Sequence, residues 1–258
     1  MRFAGLTAMA ALLIAGAVLA AEIPPGERRS GYSFMGPDTR AMQDDDTANP
    51  GMLWVLDGET LWRRKTGAAD KACADCHNDA RDSMKGVAAR YPAYDKALGR
   101  PVNLEQRVNL CRANHQRASV LAYESRDLLA LTAFVAQQSR GLPIETGADP
   151  ELAPFIAKGR ELFMRRQGQL DLGCTNCHDE NWDKHLAGSA ITQAQPTGYP
   201  IYRLEWQSLG SLQRRLRSCI TGVRAQAYDY GAPELVELEL YLMSRAHGMP
   251  MESPAVRP

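Results

Sequence analysis

The amino-acid sequence predicts an all-α fold in which two similar helical domains are related by internal duplication. Three observations lead to this prediction. The five-residue motif Cys-x-x-Cys-His occurs twice, one solitary cysteine follows each copy, and apolar residues recur at helical spacing before and after each motif. A register that repeats over about 100 residues indicates two copies of one supersecondary unit.

Residues 1–20 have the features of a secretory signal peptide. Arg2 follows the initial methionine, an apolar run extends from Leu6 to Leu19, and the small residue Ala20 marks the expected cleavage point. A membrane anchor is the alternative, but the run is short and rich in alanine, and no later segment is apolar enough to cross a bilayer. We therefore expect export and a mature chain without a membrane span.

Sliding the chain along itself gives a register that holds on both sides of the motifs. At an offset of 101 residues the motif Cys73–His77 falls on Cys174–His178, and at an offset of 108 the solitary Cys111 falls on Cys219. The spare cysteines are therefore equivalent positions of the repeat. Further pairs in register are Gly58 with Gly159, Trp62 with Phe163, Tyr91 with Tyr199, Arg107 with Arg215, and Phe134 with Tyr241.

Each domain is expected to begin and end with a helix that buries one apolar face. Apolar residues at helical spacing predict helices over 57–66 and 157–167 before the motifs, and over 126–138 and 234–246 at the domain ends. Two glycines and three prolines predict a linker over 141–154. The first domain then covers residues 21–140 and the second covers residues 155–258.

Both motifs have the spacing of covalent haem attachment. In Cys-x-x-Cys-His, two thiols form thioethers with the haem vinyl groups and the histidine supplies the proximal iron ligand. A zinc knuckle or a thioredoxin-like pair is the alternative, but neither needs a histidine at this place in both copies. The sequence therefore predicts two covalently bound haem c groups. Their predicted attachment and proximal residues are Cys73, Cys76 and His77 in the first domain, and Cys174, Cys177 and His178 in the second.

The order helix, haem motif, loops, helix resembles class I cytochrome c, so we expect two class I cytochrome c-like domains. Covalent haem attachment belongs outside the bacterial cytoplasm, which agrees with export and indicates the periplasm. The chain has 30 basic and 30 acidic residues, so its overall charge gives no reason to expect nucleic acid or an anionic membrane as a partner.

The distal ligand of each iron has several candidates. Cys111 and Cys219 lie 34 and 41 residues after their proximal histidines, and neighbouring arginines favour an ionised thiol. These cysteines are the predicted axial ligands. A disulfide between them is the alternative, which their placement in two separate haem units opposes. The other candidates are His115, His185, His247, Met84, Met243 and Met249. No methionine recurs at equivalent places in the two domains, so we expect the methionines to fill the core.

With two haem motifs, each followed by Arg-x-x-x-Cys, the chain resembles the SoxA family, the dihaem subunits of periplasmic SoxAX sulfur-oxidation cytochromes. The segments that carry this resemblance are Arg107–Cys111 and Leu212–Cys219. The resemblance implies His/thiolate ligation of both haems and a persulfide on Cys219. It also implies the monohaem cytochrome SoxX as the partner in a heterodimer, and SoxY of the SoxYZ carrier as the protein substrate.

The reaction implied by the resemblance is that of an L-cysteine S-thiosulfotransferase. Thiosulfate is coupled oxidatively to the carrier cysteine, and two electrons pass to the haems. Thiosulfate is a dianion that must lie beside an anionic thiolate, and Arg215 stands one helical turn before Cys219. Arg215 is therefore the predicted substrate-binding residue. In the alternative interpretation Arg215 only balances the thiolate charge, and the matching Arg107 in the first domain supports that view.

Two other functions fit the haem motifs. A dihaem electron carrier would shuttle electrons between periplasmic partners without making bonds. A haem-based sensor would release a labile cysteine ligand to a gas or to sulfide. The role of Cys219 separates these functions from the transferase, because only the transferase needs this residue for bond formation.

Overall fold

The computed structural model describes residues 23–258, so the predicted signal peptide lies outside the described residues. Ten α-helices form the framework of this part of the chain. They are α1 (Pro37–Asp44), α2 (Met52–Arg63), α3 (Ala74–His77), α4 (Ala80–Ser83), α5 (Leu104–Cys111), α6 (Arg126–Gln137), α7 (Ala153–Met164), α8 (Cys174–His178), α9 (Leu212–Gly222) and α10 (Pro233–Arg245). None of the helices in residues 23–258 has the length and apolar character needed to cross a bilayer.

Two helix pairs form the core of the repeat, as the sequence register predicts. Helix α2 packs against α6 in the first domain, and α7 packs against α10 in the second. A side chain at the crossing would prevent this approach. A Cβ added to Gly58 would lie 2.2 Å from the Ala130 carbonyl oxygen, and one added to Gly159 would lie 2.0 Å from the Glu237 carbonyl oxygen. Glycine is therefore needed at both crossings.

Equivalent aromatic pairs stabilise these two crossings. The Trp62 ring lies 5.8 Å from the Phe134 ring in the first domain. The Phe163 ring lies 5.4 Å from the Tyr241 ring in the second. All four side chains are buried, with at most 7% of the surface exposed. They form part of the core, and aromatic pairs at this separation add favourable edge contacts to their hydrophobic burial.

Seven short strands accompany the helices and were not predicted. They are β1 (Ala93–Asp95), β2 (Arg100–Val102), β3 (His185–Leu186), β4 (Ser189–Ala190), β5 (Ile201–Arg203), β6 (Ser208–Gly210) and β7 (Ala255–Arg257). Strands of two or three residues are too short to show an alternating pattern in the sequence. The antiparallel hairpins β1–β2 and β5–β6 occupy equivalent places in the two domains, and β7 pairs with β5 in parallel. The helices remain the framework, in agreement with the predicted fold class.

The predicted linker over 141–154 is tied to the rest of the molecule. Ile144 has no exposed surface. Its N–H donates to the Met249 carbonyl oxygen at 2.9 Å, and its own carbonyl oxygen accepts from the Gly248 N–H at 2.8 Å. The segment is therefore tied to the second domain at the buried Ile144, while most of its other residues are exposed.

A polar cluster with a small cavity lies between the two domains. Asn103 Nδ2 donates to Glu239 Oε2 at 3.1 Å, and Gln213 Nε2 donates to the same oxygen at 3.3 Å. Glu239 and Glu105 line a cavity of about 40 Å³, which has room for ordered water. Burial raises the pKa of both carboxyl groups, and the charge of Glu239 raises the pKa of Glu105 further. We therefore expect this pair to retain a proton at neutral pH.

Candidate functional site

Each haem motif forms a single helical turn. The first ends α3 at His77, and the second spans α8 from Cys174 to His178. One turn brings the two motif cysteines and the histidine to neighbouring positions on one side of the chain. His77 is exposed and His178 is half-buried. The six predicted attachment and proximal residues therefore form two compact groups, one in each domain.

A tight loop before each motif holds it against the helix that carries the spare cysteine. Gly67 and Gly168 both have φ of +71°, which favours glycine. A Cβ on Gly67 would lie 2.1 Å from the Gln116 carbonyl oxygen, and a Cβ on Gly168 would lie 2.1 Å from the Val223 carbonyl oxygen. These contacts bring the loop close to the chain that follows Cys111 or Cys219.

The two spare cysteines lie on equivalent helices that begin with similar caps. Asn103 caps α5 in a reciprocal capping box with Gln106, and the Ser211 hydroxyl accepts from the Arg214 N–H at the start of α9. Helix α5 ends at Cys111 and continues as a π-helix over Arg112–Gln116. Helix α9 continues past Cys219 to Gly222 without such a change.

Each spare cysteine lies next to the haem motif of its own domain. The thiol of Cys111 interacts electrostatically with Cys73 and Cys76. The thiol of Cys219 interacts in the same way with Cys174 and Cys177. The structure therefore groups three cysteines around each predicted haem position, whereas a disulfide between the two domains would have to draw both spare cysteines away. All six cysteines are free thiols.

The ring of His178 is oriented in the way that metal-ligating histidines require. Its Nδ1 lies 2.6 Å from the Thr192 carbonyl oxygen. A carbonyl oxygen can only accept, so Nδ1 carries the proton and Nε2 keeps its free lone pair. The same side chain interacts electrostatically with Cys219. A histidine nitrogen and a thiol thus face each other in the second domain, the donor pair that the sequence predicts.

The two spare thiols differ in acidity. Burial raises the pKa of Cys111, and the charge of Arg107 does not offset this effect. Burial also acts on Cys219, but its interactions with His178 and with the charge of Arg215 outweigh burial and lower the pKa of this thiol. Cys219 is therefore the more readily ionised of the two, which favours it as a nucleophile.

The equivalent arginines Arg107 and Arg215 also have different surroundings. Arg107 donates to Asp95 Oδ2 at 2.6 Å and to the Tyr91 hydroxyl at 3.2 Å. The Asp95 side chain is 10% exposed and the Arg107 side chain is 34% exposed, so the carboxylate is buried while solvent still reaches the guanidinium. No carboxylate in residues 23–258 forms a salt bridge with Arg215. The charge of Arg215 is therefore not neutralised within the described chain, whereas that of Arg107 is.

The neighbouring arginines of α9 contact aromatic rings. The Arg214 guanidinium lies 4.2 Å from the centre of the Trp206 ring, and that of Arg217 lies 4.5 Å from the Tyr230 ring. Within the described part of the chain, Arg217 Nη1 is buried without a hydrogen-bond partner. This donor fits an anionic group such as a haem propionate.

The remaining candidate ligands lie elsewhere. The side chains of His115, His185 and His247 are exposed. Met243 is 6% exposed and belongs to the hydrophobic core, and Met84 and Met249 pack against the same core. These positions agree with the prediction that the methionines fill the core.

Comparison with known proteins identifies the family. A family model described as SoxA/TsdA, cytochrome c domain, matches residues 57–144 and 158–251. The L-cysteine S-thiosulfotransferase subunit SoxA of Rhodovulum sulfidophilum is 39% identical over 90% of this chain and 80% of its own length. The same subunit of Pseudaminobacter salicylatoxidans is 38% identical over 91% of this chain and 82% of its own length. The chain belongs to the SoxA family.

A solved structure supports the same assignment for the fold. The crystal structure of SoxXA from P. pantotrophus matches with a TM-score of 0.86 and 31% identity, and the match covers 90% of this chain and 87% of that chain. The predicted fold of two duplicated cytochrome c domains is therefore confirmed, because the family model also matches in two segments.

Membership of the SoxA family makes haem c the cofactor, and the residues of the site fit it. Each domain brings a Cys-x-x-Cys-His turn close to one further thiol, and His178 presents a free nitrogen toward Cys219. Thiolate and imidazole are both established haem ligands. The donor set therefore fits haem c.

Two features of the site were not predicted: the pairing of Asp95 with Arg107, and the Thr192 carbonyl that orients His178. The register could have revealed Asp95, because an offset of 108 places it on Arg203 and so reverses the charge at one position of the repeat. The contact of Thr192 involves a backbone oxygen 14 residues away, which has no side-chain signature.

Proposed function

We propose that this chain is the dihaem subunit of a periplasmic L-cysteine S-thiosulfotransferase, which joins thiosulfate oxidatively to a cysteine of a carrier protein. The observation that carries this proposal is the convergence of Cys219, His178 and Arg215 in the second domain. Relatives named as subunits of the same enzyme, at 38–39% identity over most of the chain, support it.

The proposal assigns a haem to each domain. Cys73 and Cys76 would attach the first haem, with His77 and Cys111 as axial ligands. The corresponding residues for the second haem are Cys174, Cys177, His178 and Cys219. When bound, haem c supplies a one-electron acceptor beside the reacting sulfur, and two haems suffice for the two electrons released.

The reaction balances as a two-electron oxidation. The Cys219 thiolate and the terminal sulfur of thiosulfate form a sulfur–sulfur bond, and two electrons leave. The carrier thiolate then attacks the sulfur bonded to Cys219, so that the sulfane–sulfonate unit moves to the carrier and the Cys219 thiolate is released. No proton is consumed when both thiols enter as thiolates. In a persulfide form of Cys219 the outer sulfur takes the place of Sγ.

The residues around Cys219 have separate roles in the proposed reaction. The Thr192 carbonyl holds the tautomer of His178, and His178 in turn faces Cys219. The positive charge of Arg215 favours the thiolate and offers the sulfonate of thiosulfate a bidentate donor. In the first domain Asp95 neutralises the corresponding arginine, which supports an electron-storing or structural role for that haem.

The partners follow from the same assignment. A monohaem SoxX cytochrome would complete a heterodimer, since the matching structure is a SoxXA complex. SoxY of the SoxYZ carrier would provide the acceptor cysteine. Both belong in the periplasm, where covalent haem proteins are assembled.

Reconstitution with purified components tests the proposed function. The dihaem chain and its monohaem partner are mixed with thiosulfate and the carrier, and the carrier mass and the haem absorbance are followed together. We expect one thiosulfate per carrier cysteine and two electrons per conjugate. A carrier with its cysteine replaced by serine should give neither signal. Haem reduction by thiosulfate without any carrier adduct would show that the chain is an electron carrier only.

A further inference from the structure

The third residue of the first strand in each hairpin has opposite charge in the two domains. Strand β1 ends at Asp95 and strand β5 ends at Arg203, and the two hairpins have the same register. The positions are equivalent at the offset of 108 that also relates Arg107 to Arg215 and Cys111 to Cys219. The duplication therefore kept the arginine and the cysteine but reversed the charge beside them.

In the first domain the charge at this position neutralises the arginine. Asp95 Oδ2 accepts from Arg107 at 2.6 Å, and its other oxygen accepts from the Leu98 N–H at 2.9 Å. The hydrogen bond from the Leu98 N–H lowers the pKa of Asp95, whereas burial raises it. Together with Arg107, this hydrogen bond holds the pKa of Asp95 below its usual range. An anion approaching Cys111 would therefore find the positive charge of Arg107 already paired.

In the second domain the charge at this position adds to that of the arginine. The Arg203 side chain is 11% exposed and contacts the solvent-exposed Glu205 at 3.0 Å. Its Nε donates to a backbone oxygen of Pro258, the last residue of the sequence, at 2.9 Å. Burial, and then the charge of Arg215, lower the pKa of Arg203, so the two guanidinium groups lie close enough to repel each other. Pairing with an exposed carboxylate offsets little of this repulsion, because water screens it.

Both guanidinium groups are close to the thiol of the second domain and to one tyrosine. Arg203 and Arg215 each interact electrostatically with Cys219 and with the half-buried Tyr199. In the first domain the equivalent Tyr91 hydroxyl contacts the paired arginine at 3.2 Å. These two half-buried cations repel each other when no anion lies between them. A dianion bound between them would remove this repulsion, so the pair forms a favourable site for a dianion.

We propose that Arg203 and Arg215 together form a two-arginine clamp for the sulfonate group of thiosulfate, and that Arg203 is the residue that restricts substrate binding to the second domain. This inference rests on the proposed function and names a further substrate-binding residue for it. The sulfonate has three oxygens, so it can accept from both planar guanidinium groups at once. Its terminal sulfur is then free to meet Cys219. Arg215 alone would leave one of the two negative charges of thiosulfate without a partner.

Three variants of the dihaem chain, each in complex with the monohaem partner, test the clamp. Arg203→Ala removes the charge, Arg203→Lys retains it without the planar fork, and Arg203→Asp copies the arrangement of the first domain into the second. The Kd for thiosulfate is measured by calorimetry without the carrier, where no conjugation can occur. KM and kcat are measured with the carrier present. We expect Kd and KM to rise about tenfold for Arg203→Ala, less for Arg203→Lys and about 100-fold for Arg203→Asp, with kcat changed by less than about twofold.

Sulfate separates the clamp from the reaction, because it is an unreactive dianion of similar shape. The wild-type complex should bind sulfate competitively with thiosulfate, and Arg203→Ala should weaken sulfate binding by the same factor. The sulfate result does not depend on conjugation. If the wild-type complex failed to conjugate thiosulfate but bound sulfate in this way, the proposed function would be wrong and the clamp would still be supported.

A control variant and haem measurements complete the test. Asp95→Asn removes the equivalent charge in the first domain and should leave Kd and KM for thiosulfate unchanged. Haem content and the haem absorption spectrum should also be unchanged in Arg203→Ala. Wild-type thiosulfate and sulfate affinities in Arg203→Ala and Arg203→Asp would overturn the proposal. A loss of haem or a shifted haem spectrum with unchanged affinities would assign Arg203 to a haem propionate.

Discussion

The contrast between Arg215 and Arg107 leads to a prediction that separates substrate binding from charge balance. The perturbation is a matched pair of substitutions, Arg215→Ala and Arg107→Ala, at equivalent positions of the duplication. If each arginine only balanced its neighbouring thiolate, the two variants would lose activity to a similar extent. The structure predicts unequal effects, because Asp95 neutralises Arg107, whereas no carboxylate in residues 23–258 forms a salt bridge with Arg215.

The magnitudes follow from the surroundings of each guanidinium. A hydrogen bond to a charged group contributes about 1.5–3 kcal/mol, so Arg215→Ala should lower kcat/KM for thiosulfate about ten- to 100-fold. The Arg107 side chain is 34% exposed, so solvent screens its ion pair with Asp95. The loss of this pair should cost about 1 kcal/mol of stability and lower Tm by about 2–4 °C. Turnover by Arg107→Ala should remain within about twofold of the wild type.

The assay combines steady-state kinetics with thermal unfolding of the same preparations. Haem content is measured first, so that an incompletely loaded variant is not mistaken for an inactive one. Arg215→Lys and Arg107→Lys serve as conservative controls, and part of the lost activity should return only in Arg215→Lys. Equal losses of kcat/KM in Arg215→Ala and Arg107→Ala would contradict the assignment of Arg215 to substrate binding. They would show that both arginines act through the haem environment and not through the substrate.

Two further predictions concern the fold that holds the site. Gly159→Ala places a Cβ 2.0 Å from the Glu237 carbonyl oxygen. The overpacking should cost about 1–3 kcal/mol, which exceeds the free energy gained from the higher helix propensity of alanine, so Tm should fall by several degrees. Gly36→Ala is the control: no atom lies within 4 Å of its added Cβ, so Tm should be nearly unchanged. Burial, and then the charge of a neighbouring carboxyl, raise the pKa of Glu105, so its contribution to stability is present at acidic pH and lost as the pH rises through the raised pKa. Glu105→Gln should therefore flatten the fall in Tm between about pH 4.5 and about pH 8, the ordinary and the raised pKa of this carboxyl group. The exposed control Glu151→Gln should keep the wild-type slope.

Features with local signatures could be predicted from the sequence. The motif cysteines and histidines have fixed spacing, and the paired glycines of the helix crossings fall in the repeat register. The helix ends were less accurate. The helix predicted over 57–66 begins at Met52 and ends at Arg63, because the unbroken apolar run before Asp57 shows no clear helical period. The closing helix predicted over 126–138 ends one residue earlier, at Gln137.

Features that depend on distant contacts could not be predicted. Strand β7 pairs with β5 across more than 50 residues, and no local pattern in Ala255–Arg257 indicates this partner. The difference between Cys111 and Cys219 has the same origin. Both follow an arginine by four residues, but Asp95 neutralises that arginine in the first domain, whereas His178, Arg215 and Arg203 all act on Cys219 in the second. The duplicated motif thus predicts the place of each thiol, while tertiary contacts determine its reactivity.

Conjugation of thiosulfate by cysteine variants tests directly whether Cys219 is the thiol that forms the bond. Cys219→Ala and Cys111→Ala are each assembled with the monohaem partner, and the mass of the carrier is measured after incubation with thiosulfate. We predict that Cys111→Ala still forms the carrier adduct, because its thiol serves the first haem only, and that Cys219→Ala forms none. Formation of the adduct by Cys219→Ala at the wild-type rate would contradict the account, since bond formation would then not need the thiol that Arg215 and His178 surround.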